Sequence, residues 1–171
     1  EILDAVIDYE KATDSKTIVH PEDVFTNFDI GLEKEKNIAS KYFQEKPGVE
    51  DGFKNSDVVI ERTYYTQPQI HAMMETYRSL SYLDTNGRLT VISSTQIPFH
   101  VRRHLARALE IPAGKIRVIK PRIGGGFGGK QTAATEIYSA FVTLKTGKPS
   151  KIIYDRRETH TCTTTRHAMR I

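Results

Sequence analysis

Apolar and polar residues alternate over Ile2-Leu3-Asp4-Ala5-Val6-Ile7-Asp8-Tyr9, the period of a half-buried strand. Residues 10–56 are polar and interrupted by His20-Pro21, Lys46-Pro47-Gly48 and Asp51-Gly52. They predict a connecting stretch with short helical turns, one of them over residues 30–39. The pattern shifts near residue 57. Val58-Val59-Ile60-Glu61-Arg62-Thr63-Tyr64-Tyr65 is β-branched and aromatic with a period of two. Leu80-Ser81-Tyr82-Leu83 and Leu89-Thr90-Val91-Ile92 flank Asn86-Gly87, which predicts a hairpin.

Pro98 opens a helix expected to reach about residue 110, with Val101, Leu105, Ala108 and Leu109 at helical spacing. Ile116-Arg117-Val118-Ile119 reads as a strand, and a glycine-rich turn follows it. A second helix is predicted over residues 132–145, its core face drawn from Ile137, Ala140, Phe141 and Leu144, and Thr146-Gly147-Lys148-Pro149 ends it. Ile152-Ile153-Tyr154 is a last strand. The fold class is α+β: mixed and antiparallel strands with two amphipathic helices flanking a glycine-rich loop.

That loop, Arg122-Ile123-Gly124-Gly125-Gly126-Phe127-Gly128-Gly129-Lys130-Gln131, has five glycines in six positions. Removing so many Cβ atoms lets a ligand approach the main chain and permits positive φ. Between a strand and a helix, such a loop offers amide N–H groups and a helix N-terminus to an anion. Gly124-x-Gly126-x-x-Gly129, with Asp155 ending the next strand, matches a dinucleotide fingerprint, but more than a hundred residues of a different pattern precede it. Gly124-x-x-x-x-Gly129-Lys130 approaches a P-loop, yet Gln131 stands where magnesium requires Ser or Thr.

Composition narrows the classes. Hydrophobic residues at 38% and charged residues at 27% suit a globular chain, and no apolar run nears the roughly 18 residues of a membrane span. The single cysteine, Cys162, allows neither an internal disulfide nor a cysteine-ligated cluster, and agrees with a cytoplasmic setting. Residues 1–61 hold 15 acidic and 7 basic side chains, a balance of −8; the remainder holds 6 and 18, a balance of +12. The basic stretch 100–122 raises nucleic-acid binding as an alternative, but no aromatic residues are interleaved there to stack on bases. The chain opens at Glu1 without an initiator Met, and reads as a segment excised from a longer polypeptide.

Ser94-Thr95-Gln96, Ile111-Pro112-Ala113-x-Lys115-Ile116-Arg117-Val118 and the loop through Lys130 resemble, in order and spacing, the molybdopterin-binding subunit of the xanthine dehydrogenase and aldehyde oxidase family. Downstream, Thr146-Gly147-Lys148-Pro149, Asp155-Arg156-x-Glu158 and Arg166-His167 continue the likeness; upstream, Gln69-x-His71-x-x-x-Glu75 is similar to another family signature. The resemblance covers residues 57–171, read as the N-terminal part of the molybdopterin-binding domain. Residues 1–25 look like the tail of a preceding domain and 26–56 like a linker.

This resemblance implies a molybdopterin-dependent oxidoreductase that oxidises a C–H of a purine or other N-heterocycle with water as oxygen source. An aldehyde oxidase-like member is the alternative, and a nicotinamide-dinucleotide-binding domain a more distant one. Phe127 and Gly128 would hold the cofactor by main-chain N–H groups near the apical oxo ligand of molybdenum, with Gly126 allowing the approach. Gln69 would add its side-chain amide, and no residue would ligate the metal directly. His71 and Glu75 are expected to serve as structural hydrogen-bonding groups. Gln131 would face substrate where purine-hydroxylating members carry glutamate, which favours other heterocycles or aldehydes. The family's catalytic glutamate lies further C-terminal, so neither Glu75, Glu136 nor Glu158 is assigned that role and the segment alone is expected to be inactive. The pterin would be in a dinucleotide form. The 2Fe-2S and FAD centres would sit on partner domains or subunits of an oligomer, with no nucleic acid and no membrane involved.

Overall fold

The computed structural model describes residues 2, 4–21 and 30–171. They divide into two units, residues 1–61 and 62–171.

The first unit carries 3-10 turns at Ala12–Asp14 and Lys34–Lys36 and a short helix, α1, at Val49–Lys54. Asn37 organises it: its side-chain amide donates to the carbonyls of Ala12 and Thr17 at 2.9 Å each, while its carbonyl oxygen accepts from the Val19 amide at 2.8 Å. The residue sits at φ 55°, a left-handed conformation that Asn tolerates better than most. The strand expected over residues 2–9 does not form in the described part of that stretch. Ile2 and Ile7 are exposed, and among the described residues no second strand lies alongside to complete a ladder. The helical turn expected over 30–39 is reduced to the three residues of the second 3-10 turn, closed by a bridge between Glu33 and Ile38. Lys46-Pro47-Gly48, expected only as a break, leads into α1 through Gly48 at φ 84°. Residues 22–29, the end of the expected tail and the start of the expected linker, lie outside the described residues.

In the second unit, the strand expected over 58–65 shrinks to β1, Tyr65–Thr66, paired antiparallel with β6, Met169–Arg170. Tyr64 extends that pairing through backbone bonds to Ile171, but Val58, Val59 and Ile60 stay exposed, with no buried face to select a register. The main sheet contains β2 (Arg78–Leu83), β3 (Leu89–Ser93), β4 (Ile116–Ile119) and β5 (Ser150–Ile153), in the order β4-β3-β2-β5. β2 is antiparallel to both its neighbours and β3 is parallel to β4. The hairpin forms where Asn86-Gly87 predicts it. Gly87 adopts φ 71°, and the Asp84 carboxylate accepts from the amides of Asn86 and Arg88 at 2.9 Å.

Helix α2 (Pro98–Ala108) carries the chain from β3 across to parallel β4. Its Val101 and Leu105 join Leu89, Val91, Ile116 and Ala140 in the core. Helix α3 (Glu136–Thr146) packs on β2 and β5 and ends at Gly147, φ 68°. α4 (Arg156–Thr161) follows β5.

The inward face of α3 differs from the one the apolar pattern suggests. Glu136, Ser139, Ala140 and Thr143 are buried, whereas Phe141 is 49% exposed. Hydroxyl pairing explains the rotation. Ser139 Oγ lies 2.9 Å from Ser79 Oγ and 2.8 Å from Ser81 Oγ, both on β2. Thr143 Oγ1 donates to the Ser81 carbonyl at 3.0 Å, and Ser150 Oγ of β5 donates to the Ser139 carbonyl at 2.6 Å. A buried hydroxyl left without such partners costs about 1–3 kcal/mol, so the small polar side chains turn inward together. Ser139→Ala is therefore expected to cost about 1–3 kcal/mol in urea unfolding and Phe141→Ser less, the reverse of their hydrophobic ranking.

Candidate functional site

The glycine loop leaves β4 and returns to the sheet at Lys130, and its two ends are fastened to one carboxylate oxygen. Glu75 Oε2 accepts from the Gly124 amide at 2.7 Å, from Ser94 Oγ at 2.7 Å and from Lys130 Nζ at 3.1 Å. Lys130 is fully buried, and its ammonium also donates to Ser94 Oγ at 2.5 Å. Arg78 Nε lies 3.4 Å from the other oxygen, Glu75 Oε1. Burial alone would raise the Glu75 pKa, but the Gly124 amide, the Ser94 hydroxyl and the Lys130 charge outweigh it and bring the carboxyl below its ordinary value. Burial lowers the Lys130 ammonium below its ordinary value; Glu75 opposes that shift and the Arg78 charge adds to it.

The peptide groups at the loop's far end are held as well. Gln96 accepts from the Lys130 amide through Oε1 at 3.2 Å, and its own amide donates to the Lys130 carbonyl at 2.9 Å. Tyr77 donates its phenolic hydrogen to the Gly129 carbonyl. Glu75 itself rides on a segment pinned by Arg156, whose guanidinium donates to the carbonyls of Met73 and Met74 at 2.7 and 3.0 Å.

Between these anchors the chain is shaped by absent side chains. A Cβ on Gly126 would lie 2.6 Å from the Gln96 side chain, and one on Gly129 would lie 2.8 Å from the His71 ring. Gly125 and Gly128 adopt φ 96° and 89°, and Phe127, which is not glycine, adopts φ 51°. Left-handed residues on either side of Gly126, which has no positive φ, give the mixed-handed turn in which successive peptide N–H groups form an anion-binding nest. The amides of residues 125 to 128 find no acceptor among the described residues. The Phe127 ring is 74% exposed.

The loop does not run straight into a helix N-terminus, as its sequence suggests. α3 begins only at Glu136, and that residue's own carboxylate accepts from the amides of Ala134 and Thr135 at 2.8 and 3.0 Å. Those two amides, which lead into the helix, are thus already engaged, and a carboxylate stands at the helix start where an anion would otherwise approach. Asp155, the acidic residue of the dinucleotide fingerprint, is likewise engaged: it forms a capping box with Glu158 at the start of α4.

Gln69 is exposed, and its backbone exchanges hydrogen bonds with Arg166 at 3.2 and 2.8 Å. Its side-chain amide has no partner among the described residues. Two residues later, His71 lies against Gly128 and Gly129, so this segment runs beside the loop. Glu75 has the hydrogen-bonding role expected of it. His71 does not: its Nδ1 is buried with no partner, because the ring is pressed against the loop backbone. Gln131 is exposed just past the buried lysine. It leads into Thr132, Ala133 and Ala134, which with Tyr138, Tyr154 and Cys162 border an open groove of about 490 Å³.

The buried position of Lys130 was not apparent from the sequence, where it looked like the lysine of an incomplete P-loop. Ser94, Gln96, Tyr77 and Arg156 were also unassigned. A glutamate at 75 and a lysine closing a glycine run do offer complementary charges, but only the fold brings them together across 55 positions.

A family model described as "Molybdopterin cofactor-binding domain" matches residues 31–171. The chain belongs to this family, the cofactor-binding domain of molybdenum hydroxylases of the xanthine dehydrogenase and aldehyde oxidase type. It is 43% identical over 117 residues to the xanthine dehydrogenase molybdenum-binding subunit of Escherichia coli O157:H7, covering 68% of this chain and 16% of that one. It is 35% identical over 170 residues to the nicotinate dehydrogenase large molybdopterin subunit of Eubacterium barkeri, covering 99% and 39% respectively. Among solved structures, a Cu,Mo-CO dehydrogenase superposes with a TM-score of 0.75 at 25% identity, over 98% of this chain and 22% of that one. The chain thus spans well under half the length of these relatives. No described helix is long and apolar enough to cross a membrane, and no group of three or more His, Cys, Asp or Glu among the described residues is placed to hold a metal ion.

The depressed Glu75 pKa gives a pH test. Its folded pKa lies below the ordinary carboxylate value of 4.5, so the charged form stabilises the fold above that pH and the benefit is lost as pH falls through the folded value. Glu75→Gln is expected to destabilise the chain most near neutrality, and the gap to wild type in urea midpoints should close on acidification.

Proposed function

We propose that residues 125–128 receive a molybdopterin cofactor at their main-chain amides, with Gln69 adding a side-chain donor. The observation that carries this reading is the run of peptide N–H groups without acceptors, lifted by three left-handed residues in a row of four positions. Such donors suit an electron-rich ligand because they are fixed before it arrives and do not titrate. Gly126 fits the role through its missing side chain, since a Cβ there would press on the Gln96 side chain whose Oε1 accepts from the Lys130 amide. Phe127 and Gly128 supply the amides nearest the tip. When bound, the cofactor provides the redox chemistry for oxidising a substrate C–H with oxygen from water.

The protein groups on this segment bind and orient. The three glutamates nearest in reading to a catalytic base are engaged: Glu75 by the loop anchors, Glu136 by Ser93 and the Ala134 and Thr135 amides, and Glu158 by the Asp155 amide. The base for the reaction therefore belongs to another part of the protein, and the 171-residue chain by itself is expected to hold no stoichiometric pterin and to turn over no substrate. Electron transfer onward falls to 2Fe-2S and FAD centres on partner domains or subunits of an oligomeric, cytoplasmic enzyme, since Cys162 is the chain's one cysteine.

For substrate, the reading is an N-heterocycle, purines included, with Gln131 exposed and next in sequence to Thr132, which borders the groove. A neutral amide can donate and accept but cannot answer a ring charge. That same neutrality supports an aldehyde as the second reading. Gln131→Glu in the cofactor-loaded enzyme is expected to shift kcat/KM toward purines over aldehydes, measured as a ratio of rates on the two classes.

The cofactor reading is tested by metal and pterin analysis of the purified enzyme. Both should be present in wild type, and Gln69→Ala should keep them while lowering kcat/KM by about 10²-fold, the loss typical of one preorganised donor. Wild-type enzyme purified from a host able to make the cofactor, yet carrying neither molybdenum nor pterin, would sink the proposal.

A further inference from the structure

The cluster beneath the glycine loop does something that the amide-donor reading does not require. Glu75 Oε2 receives both the first amide of the loop, Gly124, and the side chain of the residue that closes it, Lys130. The same oxygen also accepts from Ser94 on the sheet side. We propose that Glu75, held by the buried Lys130, is the positioning residue of the loop, fastening its two ends together so that the amides of Phe127 and Gly128 stay presented to the cofactor.

Geometry separates this role from that of an ordinary stabilising pair. Loop residues 125–128 make one internal hydrogen bond, Gly129 N–H to the Gly126 carbonyl at 2.8 Å, so little within the loop keeps its conformation. Its shape is imposed from the ends, and the glycines leave it free to collapse if either end is released. Lys130 is the reason one carboxylate suffices. An ammonium removed from water must keep an anion beside it, and the arrangement draws Glu75 and the loop terminus to one point. Arg78, 3.4 Å from Oε1, and Ser94 complete the polar surroundings. Arg156 steadies the segment that carries Glu75 from beyond the loop.

The inference rests on the proposed cofactor role, and its test separates the two. The decisive variant is Glu75→Leu with Lys130→Met, which removes both charges and leaves no uncompensated buried ion. Apolar replacement of a whole buried pair commonly preserves stability. Reporter amides are chosen that neither bond Glu75 nor sit on a replaced residue: Gly129, which donates to Gly126, and Gln96, whose backbone N–H donates to the carbonyl of residue 130. Hydrogen exchange on the chain should show these two accelerating at least about tenfold more than Val91 and Leu105 in the core. A pair that serves only global stability would leave reporter and core amides moving together, and that outcome overturns the proposal. Should the double variant not fold, Glu75→Gln decides by the same comparison, since it retains an acceptor but loses the charge that holds Lys130.

In the cofactor-loaded enzyme, the variant should lose at least half of its molybdenum relative to wild type. A loosened loop with undiminished molybdenum overturns the link between positioning and presentation. A wild-type enzyme that never carries molybdenum, with a loop that still loosens in the variant, leaves the positioning role standing and removes the cofactor reading instead.

Discussion

A lysine ammonium sealed from water is the constraint around which this unit is arranged. Lys130 has no exposed surface, and charge of that kind survives burial only with an anion and further dipoles at contact. Glu75 and Ser94 meet that demand, Glu75 accepts from the Gly124 amide in turn, and each of the three comes from a different stretch of chain. The end of β3, the segment before β2 and the exit from β4 are thus tied to one another by a single polar contact set. The loop between Gly124 and Lys130 has its span fixed as a result, although its glycines impose almost no preference of their own.

The layer of helices shows the same economy with neutral groups. Serine and threonine hydroxyls from α3, β2 and β5 satisfy one another and the neighbouring carbonyls, so the helix lies close against the sheet without large side chains between them. The conventional apolar core is displaced to the other half of the sheet, where α2 covers β3 and β4 with Val101 and Leu105. Two kinds of adhesion therefore operate under one sheet. One half is oily, and the other depends on directional bonds that cannot be made in a shifted register.

How much of this could be read from the residues varies with the physics involved. The hairpin, α2 and β4 were legible because their signals are local: Asn86-Gly87 demands a particular turn, Pro98 suits a first helical position, and the branched run 116–119 has no competing period. α3 was legible in existence but not in orientation, since an apolar count cannot see that Ser139 has two hydroxyls waiting on β2. The alternation over residues 2–9 was misleading for the opposite reason, as a pattern of faces does not create a neighbouring strand. The glycine loop was legible as a place where backbone meets ligand. Its anchoring was not, because Glu75 and Lys130 are 55 positions apart and become partners only through the order β4-β3-β2.

Main-chain recognition has an effect on what inheritance can change. A peptide N–H survives every amino-acid replacement except proline, so no ordinary point mutation deletes the donors at residues 125–128. What mutation can reach are the contours around them. Gly129 is closed to larger residues by the His71 ring, and at Gly126 a side chain would have to push Gln96 aside. Phe127 and Gln131 hold their side chains in the open and are free to diverge. Lineages built on this loop can accordingly swap the surface that greets a substrate while the grip beneath it is handed down unaltered.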